Sequence, residues 1–445
     1  MWLVILLLLT VVFIIFATAK LKLHPFLALL IAAFGYGLFC GKMSLEDIVE
    51  SVNAGFGGTI GHIGIVILAG SVIGTFLEKS GGAAKLAQNI LQLVGRRNVP
   101  LAMSMIGYIV SIPVFCDSGF VILSPLAKSL SRRARISLAA SAIALSLGLY
   151  ATHTMVPPTP GPVAAAGILE ADLGLVILWG LLVSGFALVA AWLFSIKFAA
   201  NIDIQAESEQ ADKERTPAEA PSVFKSVIPI FLPILLIVLR SVSDFPNHPF
   251  GQSSLTSFID FVGQPVVALL VGVFFAFLLP QKLTTQMLSP SGWVGEAVLA
   301  AAGIIIITGC GGAFGKVLQN SGISDAVARQ LGRGSHLSIA LPFIMAAALK
   351  TAQGSSTVAI ITTAGIVAPL IESLGLADPT GRALTVVAIG AGSMVVSHAN
   401  DSYFWVVTGL SKMSVKQGYK LQTLGTLVQG SAAGFTLWII SLIVR

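Results

Sequence analysis

The chain has 445 residues, of which 46 are charged (26 Lys and Arg, 20 Asp and Glu), whereas a soluble domain carries about one charged residue in four. With 55% hydrophobic residues and a mean hydropathy of +0.91, there is too little polar surface to coat a globule of 46.3 kDa. These figures exclude a cytoplasmic enzyme, a nucleic-acid binder and a disordered chain. The net charge of +6 fits basic cytoplasmic loops between membrane spans.

In chain order, residues 1–19 form an apolar run of spanning length with no basic leader and no small-residue cleavage site. They are read as a retained first helix. Further apolar segments lie at 25–40, 59–77, 137–152, 173–198, 227–239, 265–280, 294–308, 383–397 (continuing past a break to 410) and 421–444. Segments 101–126 and 338–370 are long and apolar but carry small polar interruptions, at 113–119 and 353–357. Basic residues decide the number of crossings. Lys20 and Lys22 place the N-terminus outside, and both flanks of 101–126 (Lys79, Lys85, Arg96, Arg97 before; Lys128, Arg132, Arg133, Arg135 after) belong inside. A segment with both flanks on one side enters and returns, so 113–119 is the tip of a re-entrant hairpin. Irregular backbone at that depth is tolerated only against protein or a watery cavity.

The two halves repeat at an offset of about 240 residues. His24–Leu30 matches Gln264–Leu270; Gly74, Leu77, Ser80 and Gly81 match Gly315, Leu318, Ser321 and Gly322; Pro125-Leu126 matches Pro369-Leu370; Thr152-His153 matches Ser397-His398. Loop charges give the matched spans opposite directions. The expected fold is therefore an all-α polytopic membrane protein with two inverted repeats, each holding a re-entrant hairpin and a broken helix. The expected division is 1–24 (first helix and loop), 25–200 (first repeat), 201–222 (a polar cytoplasmic linker) and 223–445 (second repeat). Inverted repeats with interrupted spans are the pattern of alternating-access secondary transporters, whose sites form where the interruptions meet.

Four polar islands supply the candidate site. The first tip contributes Asp117 and Ser118, and the first break Thr152, His153 and Thr154. The second tip contributes Lys350, Gly354, Ser355, Ser356 and Thr357, and the second break Ser397, His398, Asn400 and Asp401. Hydroxyls, amides and freed backbone groups in this density suit a polyhydroxylated ligand. Ionisable groups at membrane depth are costly and point to function. Asp117, His153, His398 and Asp401 are the proton-coupling candidates. Alternatively, Asp117 pairs with Lys350 as a structural lock, and Lys350 either holds a substrate carboxylate or extends to an interface. Asp401 is placed to coordinate a cation, cap the following half-helix or join a proton path. His24, His62, His248 and His336 have no such setting. There is no phosphate-binding Gly-Lys-Ser/Thr loop, no HExxH and no CxxC among the three cysteines, so neither an enzyme nor a metal or cofactor site is expected.

Several motifs carry a family resemblance along essentially the whole chain: Gly55-Phe56-Gly57-Gly58-Thr59; Gly119–Leu126; Thr152-His153 with Val156-Pro157-Pro158-Thr159-Pro160-Gly161-Pro162; Gly311-Gly312-Ala313-Phe314; Gly354–Ala359; and Ser397-His398-Ala399-Asn400-Asp401-Ser402-Tyr403-Phe404-Trp405. At these residues the chain resembles the gluconate permease family (gluconate:proton symporters and relatives) of the ion-transporter superfamily. The resemblance implies import of a sugar acid such as gluconate with protons across a bacterial inner membrane. It also implies a scaffold-plus-transport-domain fold, a homodimer and an elevator motion. Sodium coupling, or a D-serine or other hydroxy-acid ligand, is the alternative within this class. The chain departs from the family pattern at Asp117, Lys350 and Thr159, where members often carry Glu, Arg and His.

Overall fold

The computed structural model describes residues 2–95, 98–205, 220–243, 254–323, 326, 339–399 and 401–444; the side chains of Ala19, Ile63 and Leu255 are outside this set. Helix is the only regular structure among the described residues. The first half runs α1 (Trp2–Ala19), α2 (Pro25–Phe39), α3 (Leu45–Lys79), α4 (Gly82–Val94), α5 (Val99–Val110), α6 (Cys116–Ala134), α7 (Leu138–Met155), α8 (Pro160–Ile168) and α9 (Leu173–Lys197). The second half runs α10 (Val223–Ser243), α11 (Ser254–Val262), α12 (Pro265–Ala276), α13 (Thr285–Leu288), α14 (Trp293–Asn320), α15 (Ala340–Gln353), α16 (Ser356–Val367), α17 (Pro379–Gly392), α18 (Ser402–Leu410), α19 (Val415–Gly418), a π-turn at Tyr419–Thr423, and α20 (Leu424–Val444).

Local chemistry sets many of these limits. α2 starts with Pro25, whose missing N–H costs nothing in a first turn, and His24 Nδ1 accepts from the next amide, Phe26 N, at 3.3 Å. α3 opens on a reciprocal capping box between Ser44 and Asp47, then runs 35 residues with a 43° bend between His62 and Gly64. It begins well before the apolar segment expected at 59–77, because the capped, partly polar turns 45–58 are themselves helical. Residues 82–94, which hydropathy leaves unassigned, form the amphipathic α4. Its buried Ala83, Leu86, Ala87, Ile90 and Leu91 recur at helical spacing.

Both interrupted segments are helix–turn–helix units: α5–α6 turns at 111–115, and α15–α16 turns at Gly354. Gly354 takes φ +85°, the left-handed conformation that ends a helix most easily on glycine. The spans after them are broken, α7 from α8 at 156–159 and α17 from α18 at 393–401. Thus helix, long helix, hairpin and broken helix follow in the same order twice. Packing exchanges partners between the halves: α3 lies along α14 and against α12, while α14 lies against α2. The returning hairpin helix α6 packs on α18, and its counterpart α16 packs on α8.

Among the described residues, five helical segments are long and apolar enough to cross a membrane by length and composition, or up to seven if each of two bent pairs is one span. The shorter apolar helices, Trp2–Thr18, Pro25–Phe39, Val99–Val110 and Ser356–Leu370, fall in four more of the expected segments, whereas the expected 383–397 and its continuation to 410 are the helices α17 and α18, which belong to neither group. Burial differs sharply among them. The most apolar 18-residue stretch of Leu138–Ile168 is entirely buried, against 28% for Val223–Ser243. The broken span α7–α8 is therefore wrapped by protein on all sides, the setting that irregular backbone at depth demands. Its contact with α5 is made by glycines: a Cβ on Gly148 would stand 2.3 Å from Ser104 O, and one on Gly107 2.6 Å from Leu145 O. Large apolar side chains face outward instead, among them Leu8, Val12, Phe186, Phe274 and Phe435.

Candidate functional site

The two tips and two breaks come together around one buried ion pair. Lys350, in the last turn of α15, is 0% exposed; its Nζ donates to Asp401 Oδ2 at 2.6 Å and to Gly354 O at 2.6 Å. Asp401 is the N-cap of α18, and its Oδ1 accepts from Tyr403 N at 3.0 Å. The Ser397 hydroxyl donates to Oδ2 at 2.5 Å. With both oxygens served by donors, the carboxylate fits the rule that a buried charge persists only when paired and hydrogen-bonded. The structure thus corrects two options read from the sequence. Lys350 pairs with Asp401 rather than Asp117, and it does not extend to an interface.

The tip and break of the second half are tied again where His398 Nε2 donates to Thr351 O at 2.8 Å. Break residue Ser397 is held by the final helix and the π-turn before it: its N–H donates to Thr426 Oγ1 at 3.0 Å, and its carbonyl accepts from Thr423 Oγ1 at 2.6 Å. These bonds satisfy backbone that the helix interruption frees. Two tyrosines join the halves. Tyr150 shares a 2.5 Å hydrogen bond with Ser356 Oγ, and Tyr403 donates to Ser146 O at 2.9 Å, with the two rings 5.2 Å apart. Lys350 Nζ lies 6.0 Å from the centre of the Tyr150 ring.

The remaining candidates divide by whether their polar atoms are used. Thr152 donates to Tyr108 O at 2.8 Å, Thr154 to Tyr150 O at 3.3 Å, and Ser355 caps α16 by accepting from Val358 N at 3.3 Å. All three bond to nearby backbone atoms. Thr357 stands where α16 meets α8, its Cα 3.9 Å from the Cβ position of Gly161. Asn400 lies outside the described residues. By contrast, Asp117 Oδ1 and His153 Nδ1 are buried with no hydrogen-bond partner. Both feel the charge of Asp401, Asp117 also feels Lys350, and the His153 ring lies 6.0 Å from that of Phe115 at the first tip. Gln353 joins them: both atoms of its amide are buried without a partner at the second tip. Buried polar atoms are ordinarily satisfied, so unsatisfied ones gathered beside one ion pair mark a place prepared for an incoming group.

Sequence reasoning included Gln353 in the second interruption but not among the candidate ligands, and it missed Tyr150 and Tyr403. Gln353 was detectable as a long amide at a hairpin tip. The tyrosines sit in apolar runs, and only the fold brings them to the ion pair.

A separate cavity of about 1050 Å³ lies between α3, α14 and the turn from α8 to α9. It is lined by His62, Glu170, Arg240, Lys316, Glu372 and Arg382 among others, and by none of the candidate residues at the tips and breaks. Arg382 is held there by donating from Nη1 to Leu169 O at 2.6 Å. Lys350 and Asp401 do not line this cavity.

Known proteins agree with this architecture. The chain is 34% identical to a gluconate permease of Pseudomonas aeruginosa, over 94% of its own length and 92% of the relative's. It is 32% identical to the D-serine transporter DsdX of Escherichia coli, over 100% and 99% of the two chains. Among solved structures it resembles the YdaH transporter of Alcanivorax borkumensis, which has an unusual topology, with a TM-score of 0.65 at 17% identity over 94% of this chain and 98% of that one. The model of the GntP family permeases matches residues 2–443. The chain therefore belongs to the GntP family of permeases, integral membrane transporters rather than enzymes.

Proposed function

We propose that this permease is a secondary active transporter that imports gluconate or a related small sugar acid together with protons across the bacterial inner membrane. The observation that carries this reading is the set of unpartnered groups, Asp117 Oδ1, His153 Nδ1 and the Gln353 amide, beside a charge-neutral Lys350–Asp401 pair. A polyhydroxylated acid offers hydroxyls to each of them. The buried pair contributes no net charge to attract a free anion, so the co-transported proton has a role in entry: loaded on Asp117, it cancels that carboxylate's charge, and the occupied site then carries no more negative charge than the empty one. The N-terminus of α6 beside Asp117 adds partial positive charge where the carboxylate rests.

In this reading the residues divide as 1–24, 25–200, 201–222 and 223–445, and a transport domain built from the hairpins and broken helices of both repeats moves against the scaffold within a homodimer. The swapped contacts of α6 with α18 and α16 with α8 support it, because they couple each hairpin to the opposite half.

Proteoliposome uptake of labelled gluconate tests the proposal, with an inside-alkaline pH gradient, with a sodium gradient, and against unlabelled D-serine and other hexonates. Accumulation that follows the pH gradient and yields to a sugar acid supports it. Uptake that follows only sodium, or competition by D-serine alone, replaces it with the corresponding alternative.

A further inference from the structure

Tyr150, in α7 of the first half, is 1% exposed. Among the described residues its hydroxyl has a single hydrogen-bond partner, the hydroxyl of Ser356 at 2.5 Å. The phenol ring is held by the ion-pair assembly. Lys350 Nζ lies 6.0 Å from its centre, and the neighbouring Tyr403 ring is itself fixed, through its hydroxyl to Ser146 O and its N–H to Asp401 Oδ1. Ser356 is the first residue of α16, directly after the Gly354 turn and the Ser355 cap. The Gln353 amide at the same tip has both polar atoms buried and unpartnered. A phenol anchored beside the ion pair thus reaches the one tip residue that stands next to unused ligand groups.

The two hydroxyls share one hydrogen bond, and its direction follows from what each choice strands. With Ser356 as donor, the phenol hydrogen would be left without an acceptor in enclosed surroundings, and an unmade buried hydrogen bond is costly. With Tyr150 as donor, the phenol is satisfied and the hydrogen left over is that of Ser356, at the hairpin tip. A serine in a helix interior passes such a hydrogen to the carbonyl one turn back. Ser356 opens its helix, and among the described residues it makes no such bond. Tyr150 therefore leaves Ser356 as a donor with its hydrogen to give.

We infer that Tyr150 is a positioning residue for substrate choice: as donor to Ser356 Oγ, it commits the Ser356 hydrogen to an oxygen on C2 of the bound acid. A hydroxy acid and an amino acid of the same skeleton differ at C2, where one carries a hydroxyl and the other an ammonium. A hydroxyl oxygen accepts a hydrogen bond, whereas an ammonium has no lone pair and only donates. Ser356 held as a donor favours the hydroxy acid. Without the phenol hydroxyl it is free to turn and accept from an ammonium instead. The inference rests on the sugar-acid reading above and supplies the means by which that site disfavours an amino acid.

The test uses the full chain in proteoliposomes, in labelled-gluconate counterflow at equal pH on both sides. The competitors are unlabelled D-glycerate and D-serine, a pair that differs only in the group on C2. The parent is expected to prefer D-glycerate by about tenfold or more, the scale on which a site rejects a group that leaves its polar atoms unpaired. Tyr150→Phe keeps the ring beside Lys350 and removes only the hydroxyl. It should reduce that preference by about fivefold or more, and raise KM for gluconate by more than it lowers the maximal rate. Ser356→Ala should lose as much preference and the double variant no more than Ser356→Ala alone, while Ser356→Thr, which keeps a hydroxyl, should retain it. A preference in Tyr150→Phe within about twofold of the parent overturns the inference, whatever happens to the maximal rate, since the tyrosine would then serve structure alone. So does a double variant whose loss is the product of the two single losses, or a parent that favours D-serine. Counterflow at equal pH needs no gradient, so a failure of proton coupling leaves this result standing. A parent that carries no gluconate sinks the sugar-acid reading, and this inference with it.

Discussion

Removing either member of the Lys350–Asp401 pair should cost far more stability than removing both. Lys350 Nζ is fully enclosed, with Asp401 and the Gly354 carbonyl each at 2.6 Å, and Asp401 also receives Ser397 and Tyr403 N. Breaking such a pair strands a buried charge, at about 3–5 kcal/mol per single variant. Replacing both members by apolar residues removes the stranded charge and is often close to neutral. The expected outcome for Lys350→Met, Asp401→Leu and the double variant is therefore strong non-additivity, with the double variant recovering roughly 2 kcal/mol or more of the summed losses. Loss of the Asp401 cap on α18 persists in the double variant at about 1 kcal/mol. Equilibrium unfolding of the purified protein in mixed micelles measures all four states. Additivity within about 0.5 kcal/mol, the behaviour of independent sites, would refute the pairing. So would a Lys350 variant that keeps its stability and loses only substrate affinity, the outcome expected of a lysine held free for a carboxylate.

Gln353→Leu should raise stability by about 1 kcal/mol, because it removes an unsatisfied buried amide, while it weakens gluconate uptake; a gain in stability with unchanged uptake would exclude Gln353 from the ligand site. Gly148→Val should lower folded yield and stability by about 1–3 kcal/mol through overpacking against Ser104 O, as read by detergent melting. If one proton accompanies one sugar-acid monoanion, no net charge crosses: each pH unit, about 1.4 kcal/mol, then supports roughly tenfold accumulation, and a valinomycin-set potential adds nothing. Voltage-dependent accumulation would show that more than one proton moves per anion.

Much of the architecture is legible in the chain because membranes impose local rules. Apolar runs of set length, basic loops and polar interruptions each report on their own stretch of sequence, and so the hairpins at 113–119 and 353–357 and the breaks near 156–162 and 397–401 could be read directly. Even there, local rules blurred the limits of α3, whose first turns are too polar to read as a span, and passed over α4, whose amphipathic face needs neighbours to give it meaning.

The site itself was only half visible. Sequence reasoning gathered Asp117, His153, Lys350, Ser397, His398 and Asp401 because ionisable and small polar residues at depth are conspicuous against apolar surroundings. It had no means of deciding which charges meet. Lys350 and Asp401 are 51 positions apart, and Tyr150 meets Ser356 across 206. Composition and spacing record what a residue is able to do and which way its own helix runs, whereas the partner of a buried charge depends on how distant helices pack. That packing paired Lys350 with Asp401 rather than Asp117 and left Asp117, His153 and Gln353 with unused polar atoms.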